Sequence, residues 1–205
     1  MSIETAFVGD VHGNVDAFRA MNDVLQAEGG PHIVFLGDYV NKGPRSAEVL
    51  EELLLLHDAG TATVLKGNHE VALLDALETG DLTTLIKMGG AVTVRSYVGR
   101  HVAPDVAADF RSSFPREHLE FLRSMSESYE TDNLVARHLP GSDQSNRFSI
   151  TAHRPIGEAP LINERSAQLD TGCGGERGRL TALLWPSLAY VQVDARGDVV
   201  SRAGR

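Results

Sequence analysis

Three short segments carry side chains that can hold metal ions and move protons: Gly9-Asp10-Val11-His12-Gly13, Gly37-Asp38 and Gly67-Asn68-His69-Glu70. Residues i and i+2 at a strand end point to the same side, so Asp10 and His12 are expected to reach one metal together. Asp38 can bridge two cations with its two carboxylate oxygens. Asn68 offers a neutral amide oxygen. Mixed Asp, His and Asn donors suit Mn²⁺, Fe or Zn²⁺ better than all-thiolate or all-oxygen sets do. His69 directly follows Asn68, so its ring is expected to face a substrate and can protonate a leaving oxygen. Two such metals, about 3.5–4 Å apart, generate hydroxide and clamp phosphoryl oxygens. The chemistry these segments support together is phosphoester hydrolysis.

The elements around them position all three segments alike. Ile3 to Val8 reads as a strand, and Asn14 caps a helix whose apolar stripe is Val15, Phe18, Met21 and Leu25. Ile33 to Leu36 is a continuous apolar run, as in a strand buried on both faces. Ser46 is placed to cap a second helix with Val49, Leu50, Leu53 and Leu54 on its stripe, and Thr61 to Leu65 is a third strand. This alternation implies a βαβαβ unit with a parallel sheet. Each segment then follows the carboxyl end of a strand, where ligands bind in open α/β sheets.

Further helices are expected at 82–88, 106–110 and 115–125. Strands are expected at 133–136, 148–152, 167–170, 180–185 and 188–193, with a last extended piece after the turn at 194–198 and a polar loop at 141–146. With 205 residues and no linker or repeat, 1–205 reads as a single catalytic domain.

Composition limits the partners. The net charge is −9, without the basic footprint of a nucleic-acid binder. A bound divalent metal can still reverse the field an anionic substrate meets. The longest leucine run, Leu53 to Leu56, is far too short to span a bilayer. Cys173 is the sole cysteine and cannot form an internal disulfide, and Met1 to Thr5 lacks a signal-peptide pattern, so a reducing cytoplasm is expected. Cys173 reads as a buried inert thiol. His32, His57, His101 and His118 read as structural or solvated, and Glu48, Glu51 and Glu52 as a solvated helix face.

The ordered set GDVHG, GDYVNKG and GNHE resembles the calcineurin-like metallophosphoesterases, in particular the bacterial phosphoprotein phosphatase branch with its GDxHG, GDxxDRG and GNHE motifs. Gly89-Gly90-Ala91-Val92-Thr93 with Ser96-Tyr97 is similar to a segment of bacterial members and of diadenosine tetraphosphatases. Asp170-Thr171-Gly172-Cys173 and Leu180-Thr181-Ala182-Leu183 resemble the family's DTG and LTAL stretches. The resemblance implies an α/β fold, a two-sheet β-sandwich flanked by helices in four αββα layers, with the C-terminal strands in the second sheet. It implies two divalent ions, Mn²⁺ first with Fe or Zn²⁺ as alternatives. One would be held by Asp10, His12 and Asp38, the other by Asp38, Asn68, His138 and His153.

Two departures matter. Asn41 and Lys42 stand where the family has Asp and Arg. Asn41 can accept a hydrogen bond but brings no charge to the catalytic His69, and Lys42 cannot clamp phosphate with a planar fork. His138 and His153 are also only 15 residues apart, which removes the family's second phosphate-binding arginine. Arg137, Arg147 and Arg154 are the candidate replacements.

The leading expectation is a metallophosphatase acting on phosphate monoesters, a serine/threonine protein phosphatase attacking directly through a metal-bridging hydroxide. One alternative is a dinucleoside polyphosphate hydrolase; a second is a phospho-ligand binder with little turnover. The partner is a phosphorylated protein or small phosphoester, with no nucleic acid and no membrane.

Overall fold

Ile33–Leu36 is apolar at every position because both sides of its strand are covered. The computed structural model describes residues 5–99, 104–141 and 146–203. In it Ile33 and Phe35 face a core built with the helices, while Val34 and Leu36 face a second core. The preceding strand divides the same way, with Ala6 and Val8 on the helix side and Phe7 opposite.

The chain runs β1 (Thr5–Val8), α1 (Val15–Ala27), β2 (His32–Phe35), α2 (Ser46–Asp58), β3 (Ala62–Val64) and α3 (Asn68–Thr79). It continues through α4 (Thr83–Lys87), α5 (Ala91–Val98), α6 (Val106–Ser113) and α7 (Arg116–Ser124). The strands β4 (Ser128–Glu130), β5 (Leu134–Arg137), β6 (Phe148–Thr151), β7 (Leu161–Ile162) and β8 (Ser166–Gln168) follow. The described chain closes with β9 (Arg179–Trp185), β10 (Ala189–Asp194) and β11 (Val199–Ala203).

Two sheets result, ordered β11-β10-β9-β1-β2-β3 and β4-β5-β6-β8-β7. β1, β2 and β3 pair in parallel, and so do β5, β6 and β8. Phe7, Val34, Leu36, Leu65 and Leu183 of one sheet meet Leu134, Ala136, Phe148, Ile150, Ala167 and Leu169 of the other. Each of the fully buried Leu, Val, Ile and Phe side chains among them contributes about 1.5–3 kcal/mol. Two sheets flanked by helices are thus observed, as the resemblance implied.

One part of that expectation is corrected. The strands expected at 133–136, 148–152 and 167–170 do build the second sheet, but those expected at 180–185 and 188–193 and the last extended piece do not: β9 pairs antiparallel with β1 and carries β10 and β11 on the first. The alternation of Leu180 and Ala182 against Leu183 suits a strand with a core on each face. Asn14 caps α1, accepting the Ala17 N–H at 3.1 Å. Ser46 does not cap α2: Arg45 occupies the cap position, and Ser46 turns inward. The helix α5, rich in β-branched residues, and the short strands β4 and β7 were not anticipated. Ile3 and Glu4 of the leading strand, His101 and most of the 141–146 loop lie outside the described residues.

Candidate metal centre

The carboxyl ends of both parallel strand groups meet at one place. The β1–α1 loop brings Asp10 and His12, the β2–α2 loop Asp38, Asn41 and Lys42, and the start of α3 Asn68 and His69. His138 follows β5 and His153 follows β6. His12, Asp38, Asn41, Lys42 and His153 all have positive φ, between 49° and 76°. That backbone costs energy in non-glycine residues and is common at built sites. Asp10 and His12 therefore converge through a left-handed turn, without the extended-strand geometry expected of them.

Close backbone approach sets the loops. Gly67 abuts the second loop, and a Cβ there would collide with Asp38 Oδ1. Glu70, fully buried, accepts the N–H groups of Asp38 (2.8 Å), Tyr39 (2.8 Å), Gly67 (3.0 Å) and Val40 (3.3 Å). It thus pins the Asp38 loop to α3. Only its place in the GNHE motif marked Glu70 in the sequence.

The imidazoles are oriented from behind. His12 Nδ1 donates to the Val40 carbonyl at 3.0 Å, and His138 Nδ1 to the Leu36 carbonyl at 3.0 Å. Both rings then turn Nε2 inward, the nitrogen on which a cation can replace a proton, the arrangement that readies a histidine for metal. His138 Nε2 lies 2.9 Å from Asn68 Oδ1, 3.1 Å from His153 Nδ1 and 3.3 Å from Asp38 Oδ2. His153 Nδ1 is 2.8 Å from Asn68 Oδ1. On the other flank His12 Nε2 lies 3.5 Å from Asp10 Oδ2 and 4.0 Å from Asp38 Oδ2. Asp38 Oδ2 thus faces both groups.

These residues fit a divalent metal pair. Donors about 2.1 Å from one ion sit about 3.0–3.4 Å apart, close to the spacing around His138. Asp10 Oδ2 is buried and has no hydrogen-bond partner among the described residues, and such an atom calls for a cation. Two His–carboxylate groups can each hold an ion: His12, Asp38 and His69, and Asp38, His138 and His153. Burial alone would lower the His138 imidazole. The hydrogen bond and charge of Asp38, with Asp10 and Glu70, overcome this and raise it to about 9. Burial would raise Asp38, but the His138 hydrogen bond and the surrounding imidazoles lower it to about 2.

Asn41 and His69 form the next layer. Asn41 Nδ2 donates to His69 Nδ1 at 2.6 Å. The amide is oriented by Thr93, whose hydroxyl donates to Asn41 Oδ1 at 2.8 Å and accepts the Asn41 N–H at 2.8 Å. Ser46 Oγ accepts that same N–H at 3.2 Å and meets Thr93 Oγ1 at 3.0 Å. The sequence suggested that Asn41 would accept; in the structure it donates. His69 Nδ1 is therefore an acceptor and its proton sits on Nε2, 3.7 Å from Asp38 Oδ2. Burial lowers this imidazole to about 4 against the pull of Asp38.

The basic candidates lie in different places. Lys42 Nζ donates to His12 Nε2 at 2.6 Å. Arg137 and Arg147 both pair with Glu130, at 3.1 and 2.9 Å, and hold its carboxyl down at about 2. Arg154 is exposed beside His153. Asp170, after β8, was not singled out for a site role. It is buried with Oδ2 unpartnered, and burial and the charge of Asp10 raise it to about 6. Cys173 is buried and its thiol is pushed up to about 12 by burial. Of the acidic helix face, Glu51 instead holds the buried His118 Nε2 at 2.9 Å.

Residues 3–160 match the family model for calcineurin-like phosphoesterases, and the chain belongs to that family. It is a metallophosphoesterase. The chain is 25% identical to the asymmetrical bis(5'-nucleosyl)-tetraphosphatase PrpE of Halalkalibacterium halodurans, covering 97% of this chain and 96% of that one. It is 35% identical to serine/threonine-protein phosphatase 2 of Escherichia coli, but over only 40% of this chain and 37% of the other. A solved protein proposed to be a diadenosine tetraphosphatase superposes with a TM-score of 0.67 at 19% identity, covering 95% of this chain and 94% of that one. Among the described residues no helix is long and apolar enough to cross a membrane.

Proposed function

We propose that the protein hydrolyses small nucleotides joined through phosphoanhydrides, of the dinucleoside polyphosphate class. The observation that carries this is the Asn41–His69 hydrogen bond, which puts a neutral amide and no carboxylate at the imidazole Nδ1. A serine alkoxide needs strong protonation to leave. A phosphate or nucleotide leaves as a stable anion, since its last proton ionises near pH 6, so weak acid assistance suffices. Full-length similarity to a named tetraphosphatase supports the same substrate class.

In this reading Asp10, His12 and Asp38 hold one cation, and Asp38, Asn68, His138 and His153 hold the other. Mn²⁺ is the first choice, with Fe or Zn²⁺ as alternatives. When bound, such ions polarise phosphoryl oxygens and acidify water. His69 presents its Nε2 proton towards the leaving oxygen, with Asn41 holding the ring by its other nitrogen. Lys42 swings from His12 to the substrate phosphate, and Arg154 is the best placed of the three arginines to join it. The 205 residues act as one catalytic unit in the cytoplasm.

The test is turnover by the Mn²⁺-loaded protein of diadenosine tetraphosphate against a phosphoserine peptide. The expected kcat/KM ratio favours the nucleotide by about 100-fold; a preference for the peptide overturns the assignment. The protein phosphatase reading stays second, favoured by the 35% identity to the Escherichia coli phosphatase over part of the chain.

A further inference from the structure

A cavity of about 480 Å³ opens beside the metal centre, and Asn68 and His138 belong to both. Its volume falls within the roughly 300–1,000 Å³ of small-molecule sites. Lys66 enters it from the end of β3, Val71 from α3, Glu127 from the segment before β4, and Arg137 and Leu139 from the end of β5 and beyond.

Val71 and Leu139 are 54% and 49% exposed, two large apolar side chains left uncovered on the same cavity. Lys66 is half-buried, and no ion pair among the described residues includes its ammonium. Arg137 is held in place by Glu130. Glu127 supplies an exposed carboxylate on the same cavity. Cations, apolar walls and an acid thus share a cavity that opens onto the metal centre.

We propose that this cavity is a nucleotide subsite receiving one nucleotide arm of the substrate. Lys66, with Arg137, meets the phosphates next to the one at the metals. Val71 and Leu139 cover the faces of the base, and Glu127 accepts a hydrogen bond from its exocyclic amino group. The inference rests on the dinucleoside polyphosphate reading and adds to it the residues that select the nucleotide. Opposite charges at one cavity suit a ligand that is anionic at one end and an amine donor at the other. A phosphopeptide segment carries no flat base for the two apolar side chains to cover.

The experiment has two independent readouts on the full-length chain. Calorimetric titration with AMP compares wild type with Lys66→Met, Val71→Asp and the conservative Lys66→Arg, with thermal melts to establish folding. AMP affinity is expected to fall about tenfold in the first two variants and to persist in Lys66→Arg. In turnover with Mn²⁺, the kcat/KM ratio of diadenosine tetraphosphate to p-nitrophenyl phosphate is expected to fall by a similar factor, carried by KM. Equal AMP affinity in all variants, or none in wild type, overturns the subsite whatever the turnover shows. A phosphoserine peptide that loses affinity in these variants while AMP does not overturns the nucleotide as occupant. AMP binding that responds to the variants, in a protein inert towards diadenosine tetraphosphate, retains the subsite and overturns the functional reading alone.

Discussion

His138 donates through Nδ1 to the carbonyl oxygen of Leu36 at 3.0 Å, across 102 residues of chain. Leu36 directly follows a strand of the first sheet, and His138 directly follows a strand of the second. The bond fixes which ring nitrogen faces the cation and joins the sheets at the point where the donors converge.

The first prediction concerns the proton on that ring. In chelated protein His138 is raised from 6.5 to about 9. Its folded value lies above its unfolded one, so the stability it contributes is fully present below about pH 6.5 and is lost as the pH rises towards 9. Cation binding needs the unprotonated nitrogen, so metal affinity should climb over the same range. NMR titration of the imidazole checks this; a midpoint at or below 6.5 contradicts it.

Asn41→Asp should restore charge beside His69. Turnover of phenyl phosphate, whose leaving group is poor, is expected to rise about tenfold, with a much smaller gain on diadenosine tetraphosphate. Equal gains on the two substrates, or none on either, would sink the argument from the Asn41–His69 bond.

Glu70→Gln should be costly although Glu70 is assigned no metal. Its carboxylate accepts four backbone N–H groups, and an amide NH₂ turned towards any of them leaves donors facing donors. A loss of about 2–4 kcal/mol is expected in denaturant melts, together with weaker metal retention because the Asp38 loop is freed. Unchanged stability would show that the loop is held some other way.

Asp38→Asn should lower metal content more than His153→Ala does. Asp38 Oδ2 faces both donor groups, whereas His153 belongs to one. Elemental analysis after gel filtration is expected to show both ions depleted in the first variant and one retained in the second. The reverse order would place the shared ligand elsewhere.

Much of this was legible because it is local. The runs at 5–8 and 33–36 declare strands with two covered faces, and the glycine-bounded acids after them declare loops at one sheet edge. What was hidden depends on distant partners. Nothing near Leu180 shows that its strand pairs with β1, so the expectation that every C-terminal strand lies in the second sheet fails for β9, β10 and β11. The two- and three-residue strands β7 and β4 are too short to show a period. The segment at 91–98 carries β-branched Val92, Thr93 and Val94 and still forms a helix, because its place beside α2 and α6 outweighs propensity. Ser46 read as a cap and Asn41 as an acceptor because Thr93, their common partner, lies about 50 positions away.

The apolar layer between the sheets has a consequence beyond stability. Asp10, His12, Asp38 and Asn68 ride on one sheet, and His138 and His153 on the other, so Phe7, Leu36, Ile150 and Leu169 act as a spacer that sets the bite of a chelator. Trimming that spacer changes the gap between donors without touching any of them. The fit of the candidate site to one ion or another is therefore expected to depend partly on hydrocarbon: Phe7, Leu36 and Ile150 stand two or three residues before Asp10, Asp38 and His153.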